Sequence, residues 1–203
     1  LFHSFSEFNP NISGDTVEFQ VSATITDILF RQATTVINPG LNAVLSSNGN
    51  GENLAFLAQG TISLLEKFNT GANVNSVYIV SGTSIRHTDA QTFTKNTTDT
   101  QASNAAPERL AGATATDEIQ ILSTGLVVQN TLALLGAKVQ LTSANITANK
   151  IFLAADIGGE LNVTTGALVD SNNNPVIGDG AFISQDSSIS LTNNGNITIR
   201  AGS

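Results

Sequence analysis

His3 and His87 are the two histidines of a 203-residue chain that also carries 16 acidic and 8 basic side chains and no cysteine. These are the groups with which it could do chemistry. A Ser–His–Asp machine needs a histidine held between a nucleophile and an acid. His3 stands in the aromatic opening LFHSFSEF and His87 begins a polar run, and no nucleophile-elbow pattern accompanies either, so both read as packing or surface residues. Without cysteine there is no thiolate metal site, no cysteine nucleophile and no disulfide framework.

The carboxylates are the other candidates. Asp15/Glu18 and Asp117/Glu118 are the closest acidic pairs on which a polysaccharide-cleaving enzyme could draw. Neighbours on a strand point to opposite faces, so Asp117 and Glu118 cannot act together if extended. Lyases that act on uronates also want clustered cations, and the basic residues here are spread singly, so the chain reads as no enzyme. The run Asp170-Ser-Asn172-Asn-Asn174-Pro-Val-Ile-Gly-Asp179 places oxygen ligands at intervals, as calcium loops do. It has Pro175 where such a loop has its turn glycine and lacks the closing glutamate, so a plain Asx-rich turn is the leading reading and a calcium site the lesser one. No cofactor is implied.

The elements that must carry these residues are strands. Charged residues make up 12% of the chain, and Asn, Thr and Ser fill the polar positions, a composition suited to turns and strand faces. Short β-type segments such as VEFQV (17–21), SVYIV (76–80), KVQL (138–141), KIFLA (150–154) and NITIR (196–200) alternate with Asn, Gly, Ser and Asp. Leu54–Phe68 has the best helical spacing, but Gly60 and Thr-Ile-Ser weaken it and strands are expected there too. The polar segment 87–116, with Phe93 and Leu110 as its large apolar residues, reads as a surface excursion.

Between 130 and 203 three series of apolar positions recur: Val139, Leu161, Ile183; Ile146, Leu168, Ile189; and Leu153, Val176, Ile197. A common spacing near 22 residues, shown by the numbers themselves, predicts regular coils with three strand positions each. Asn48-Gly49, Asn50-Gly51 and Asn194-Gly195 would instead suit the hairpins of an antiparallel sandwich, which is the rival fold.

The formal net charge of −8 is the wrong sign for wrapping nucleic acid or holding an anionic lipid face. No apolar run reaches the ~20 residues that span a bilayer, so no membrane insertion is expected. Position 1 is not methionine, and the chain reads as a processed product or an excised fragment, so a missing signal peptide says nothing about export.

Two stretches carry a family resemblance. LALLGAKVQLTSANITANKIFLAADIGGELNV (132–163), with Leu132, Leu134 and Leu135 before Gly136 and Asn145-Ile146-Thr147-Ala148 on the next strand, resembles the two-partner-secretion domain of the filamentous-haemagglutinin type. The opening LFHSFSEF followed by Asn9, and Ile25 to Arg31, resemble the same family's N-terminal signature. Ser81-Gly82-Thr83-Ser84-Ile85 departs from the family's asparagine-proline-asparagine-glycine-isoleucine turn, which marks a divergent member.

The resemblance implies an all-β, right-handed parallel β-helix forming one domain over 1–203, with a capping and signature region at 1–30. It implies a non-enzymatic exoprotein domain that carries a secretion signal and nucleates the folding of a cell-surface adhesin. Its partner would be an outer-membrane transporter barrel, and its location the medium or surface of a Gram-negative-type bacterium, reached through the periplasm. A host or surface glycan or protein receptor and end-to-end self-association are further expected partners. Leu1, Phe2, His3, Phe5, Phe8 and Asn9 form the expected cap and secretion segment, in which a bend turns the three phenylalanines inward. A β-helical polysaccharide-binding or polysaccharide-cleaving protein and a self-assembling extracellular filament subunit are the alternatives.

Overall fold

In the computed structural model the described residues are 2–5, 16–19, 27–32, 36–37, 43–47, 52–58, 62–64, 68–70, 74–81, 84–87, 91–94, 101–103, 109–111, 118–122, 124–157, 159–162, 167–170, 172 and 174–202. They are all-β, with two parallel sheets, one antiparallel sheet and no helix among them.

The alternation in KVQLT explains how a strand enters the first of these sheets. Val139 and Leu141 are fully buried while Lys138, Gln140 and Thr142 are half-buried, so one face of Lys138–Thr142 meets the core and the other meets water. This strand pairs in parallel with Glu118–Leu122, which has the same pattern, and with Ala181–Gln185 on its other side. Ile62–Leu64 and Val36–Ile37 complete the 5-stranded sheet.

The 11-stranded sheet has two arms that meet on the strand Asn145–Ala155. Its second half pairs with Thr131–Gly136, followed outward by Val74–Ser81, Glu52–Ala58, Asp27–Gln32 and Phe2–Phe5. Its first half pairs with Gly125–Val127, then Phe68–Thr70, Ala43–Ser47 and Thr16–Phe19. Every one of these pairings is parallel. From Glu118 onward the chain visits the 5-stranded sheet, the short arm and the long arm in that order, and does so again from Lys138 and from Ala181. Ser188–Arg200 lies on Asn145–Ala155 along both arms, with a register shift opposite 148–150.

Corners between strands repeat as well. Ser143 and Asp186 both adopt positive φ, at 51° and 50°, where the chain leaves the 5-stranded sheet, and Ser143 N donates to Gln185 O at 2.9 Å. Short polar side chains tolerate this left-handed conformation better than bulky or β-branched ones.

The main core gathers the inward residues of all three strand series, among them Ile79, Ile119, Leu126, Leu134, Val139, Ile146 and Leu153. Burying each aliphatic side chain of this size is worth about 1.5–3 kcal/mol. The long arm is apolar on its outer face too. Tyr78, Val80, Ala133, Leu135, Phe152 and Ala154 form a second buried cluster with Leu161 and Leu168, which come from the antiparallel sheet. That sheet runs Gln101–Ser103, Gln91–Thr94, Ser84–His87, Arg109–Ala111, Glu160–Asn162, Ala167–Val169, and so joins two separate departures of the chain. A sheet covered on both faces explains why Thr131–Gly136 is buried throughout and reads TLALLG without alternation.

Three expectations change. The regular run expected at 130–203 is interrupted, because Glu160–Asn162 and Ala167–Val169 pair antiparallel in the covering sheet. Val139 therefore stands beside Phe182 rather than Leu161, Ile146 beside Ile189, and Leu153 beside Ile199. The spacing near 22 was half of a longer step, with the departing segment filling its middle. Asn194-Gly195 makes no hairpin: it turns a corner inside Ser188–Arg200, which pairs in parallel. Asn48 to Gly51 lie outside the described residues, and the strands on either side of them pair with other strands, not with each other.

Candidate functional site

The residues expected to carry chemistry fall in three places. Phe2, His3 and Phe5 belong to Phe2–Phe5, the end strand of the long arm, where His3 stands opposite Phe30 and Phe5 opposite Gln32. Leu1, Phe8 and Asn9 lie outside the described residues, as do Asp15 and Asp117. His87 ends the strand Ser84–His87 of the covering sheet, opposite Gln91. The two histidines thus sit in different sheets.

The four oxygen residues of the calcium reading divide between two structures. Asp170 Oδ1 accepts the backbone N–H of both Asn172 and Asn174 at 2.8 Å, and its Oδ2 accepts from Asn174 Nδ2 at 3.1 Å. This is an Asx turn, in which the asparagines act as donors toward Asp170 rather than as fellow ligands. The bonds from Asn174 and Asn172 hold the exposed Asp170 carboxyl below its ordinary range. Asp179 belongs elsewhere: its Oδ1 accepts from Ile157 N at 2.6 Å and its own N donates to Asp156 Oδ1 at 3.2 Å. Among the described residues no group of three or more His, Cys, Asp or Glu could hold a metal ion.

Asp156 is the functional candidate that sequence reasoning passed over. It follows Ala155 at the end of the buried run 151–155, is 3% exposed, and accepts from Gly159 N through Oδ2. A Cβ at position 159 would lie 2.1 Å from that oxygen, so only glycine lets the backbone close on the carboxylate. Burial pushes the Asp156 carboxyl above its ordinary range; N–H donors from Asp179 and Gly159 oppose this, and the nearby Asp179 charge adds to it. A signal was present in the sequence: one acid in an apolar run, followed by Gly158-Gly159 and answered by Gly178-Asp179-Gly180.

The end of the parallel stack exposes several large apolar side chains. Ile189, Leu191, Ile197 and Ile199 sit directly over Ile146, Ala148, Ile151 and Leu153. The lower rung is sealed, with Leu153 1% exposed, whereas Ile199 is 43% and Leu191 40% exposed. No partner strand lies beyond Ala181–Gln185 or Ser188–Arg200 among the described residues. The segment from Ser187 to Ile199 contains no charge and no proline, the usual protections of an open edge. A hollow beside it is lined by Leu168, Val176, Ile177, Ile199 and Arg200.

Comparison with family models, curated proteins and solved structures finds no match to the chain.

Proposed function

We propose that the chain is a right-handed parallel β-helix that serves as the secretion and folding-template domain of a two-partner-secretion exoprotein, without enzymatic activity. The observation that carries this reading is the uncovered last rung, where the core columns of Ile146, Ala148, Ile151 and Leu153 continue into half-exposed residues at an edge with no further partner strand among the described residues. Such a surface accepts a further strand running the same way. In a stack whose rungs contact only their neighbours, folding propagates from a formed end as chain arrives. Absence of cysteine removes cross-links that would block passage of an unfolded chain, and the outer-membrane barrel and adhesin roles rest on the family resemblance of 1–31 and 132–163.

The test fuses a reporter after residue 203 and coexpresses a transporter barrel encoded beside the gene. Delivery of the reporter to the medium only with the barrel present is expected. Periplasmic retention with a functional barrel overturns the proposal. The filament-subunit alternative draws on the same uncovered rung, and filaments of the purified chain in electron micrographs would favour it.

A further inference from the structure

The outward columns of the long arm carry the second buried cluster. Tyr78, Ala133 and Phe152 stand in one and Val80, Leu135 and Ala154 in the next, and both are packed with Leu161 and Leu168 of the covering sheet. On the last rung the same columns continue as Thr198 and Arg200. The covering segment nevertheless reaches that rung. It leaves the stack after Ala155 and returns at Gly180, and its returning arm passes so close at Gly178 that a Cβ there would lie 2.8 Å from Ala155 O and 2.9 Å from Ala201 Cα. Just before this pinch Val176 is half-buried against the outer cluster, whereas Ile177 is 85% exposed.

Between this arm and the last rung lies a hollow of about 290 Å³, bounded by Leu168, Pro175, Val176 and Ile177 on one side and by Ile199 and Arg200 on the other. Ile199 continues the inward column of Leu153, while Leu168 belongs to the cover. The hollow therefore spans, from core side to cover side, the edge of Ser188–Arg200 that has no partner strand among the described residues. Its volume falls just short of the roughly 300–1,000 Å³ of small-molecule pockets, and the side chains around it are apolar apart from Arg200, without the several placed polar groups that orient a small ligand. A strand suits the position better. Laid on this edge, it sends alternate side chains to the core and to the cover.

We propose, resting on the template role of the last rung, that the hollow seats an outward aliphatic side chain of the next long-arm strand, and that the covering segment is built one rung ahead of the stack. The contact is the existing interface between long arm and cover, continued upward by one place. Its occupant is a parallel strand apolar on both faces, of the kind of Thr131–Gly136, in which Leu135 holds the column that leads to Arg200. A strand with one polar face, such as Lys138–Thr142, would cover Ile199 and leave the hollow to water. The cover thus selects which strand can close the long arm.

The chain has no cysteine, so single introduced thiols report each side of the edge. Leu135, Ala154 and Arg200 share a column, so Ala201-Gly202 fall where Gly136-Ala137 lead into the 5-stranded sheet. The test joins a second copy of Glu118–Gly136 after Gly202, which brings the copied Leu135 over Arg200, and compares thiol labelling of Ile199→Cys and of Val176→Cys with and without the copy. Both should slow about ten-fold, the effect of a site closed nine-tenths of the time. Leu135→Gly in the copy alone should keep Ile199→Cys slow and return Val176→Cys to its fast rate. Slow Ile199→Cys with Val176→Cys still fast, or Val176→Cys still slow above the glycine, overturns the proposal and leaves the template role standing. Fast labelling of both overturns the template role as well.

Discussion

Asn149 stacks directly on Asn130: its Nδ2 donates to Asn130 Oδ1 at 3.4 Å, and the N–H groups of Asn149 and Lys150 converge on the Asn130 carbonyl at 2.9 Å. Asn75 repeats the side-chain contact on Asn53 at 3.4 Å, and Asn130 N donates to Asn75 O. One corner of successive rungs is therefore held by a column of asparagines. Asn130→Ala would remove the acceptor of the Asn149 amide group, whose own Oδ1 is already buried without a partner. A loss of about 1–2 kcal/mol in urea unfolding is expected, with the m-value unchanged.

Above Asn149 the column stops at a glycine. Gly195 passes so close that a Cβ would overlap the Asn149 carbonyl oxygen, and Asn193 and Asn194 reach it through positive φ of 51° and 55°. Gly195→Ala must push the last rung away from the one below. Its cost should exceed about 2 kcal/mol, and the amides of 196–200 should lose protection before those of 150–154.

Leu153 and Ile199 occupy consecutive places in one core column but differ in cover, at 1% and 43% exposure. Leu153→Ala should destabilise by about 2–5 kcal/mol, and Ile199→Ala by less than about 1.5 kcal/mol. In a chain extended past residue 203, the Ile199 value should rise toward the Leu153 value if further strands cover it. Equal small costs in both chains would remove the last rung as a template.

Parts of this architecture are plain in the residues and parts are not. Val139/Leu141 and Ile119/Ile121 alternate with polar neighbours, so strands with one wet face can be read directly. SVYIV and TLALLG signal a sheet buried on both sides, because no position in them can face water. The covering sheet misleads: Leu161 and Leu168 are as buried as the columns they imitate in spacing, since burial and not topology sets their type. The Asp156 pairing is illegible for a related reason. Its partner lies 23 residues away at the far end of the departure, a separation that no local pattern announces.

Asp170 is shifted in the opposite direction to Asp156. Its carboxyl is held low chiefly by the N–H of Asn174, so the Asx turn is fully formed above the ordinary value of 3.8 and is lost as pH falls through the lower folded value. Amide shifts of Asn172 and Asn174 followed below pH 4 should move together with one midpoint. Asp170→Ser should leave both at their acid positions throughout, with unchanged core signals from Val139 and Leu141.

Tyr78 is the only tyrosine in a chain without tryptophan, and it is 3% exposed beneath the covering sheet. Its fluorescence therefore reports the cover, while the inner core is reported by far-ultraviolet dichroism. Leu161, 1% exposed, packs in the same cluster. Leu161→Ala should cost about 2–5 kcal/mol in cover attachment and raise the quenching of Tyr78 by acrylamide. The stack beneath has its own core through Ile79, Leu134 and Leu153, so strand dichroism should persist to temperatures at which quenching is already complete. A single coincident transition for both signals would mean that cover and stack fold as one unit, since the outer cluster would then be indispensable to the inner one.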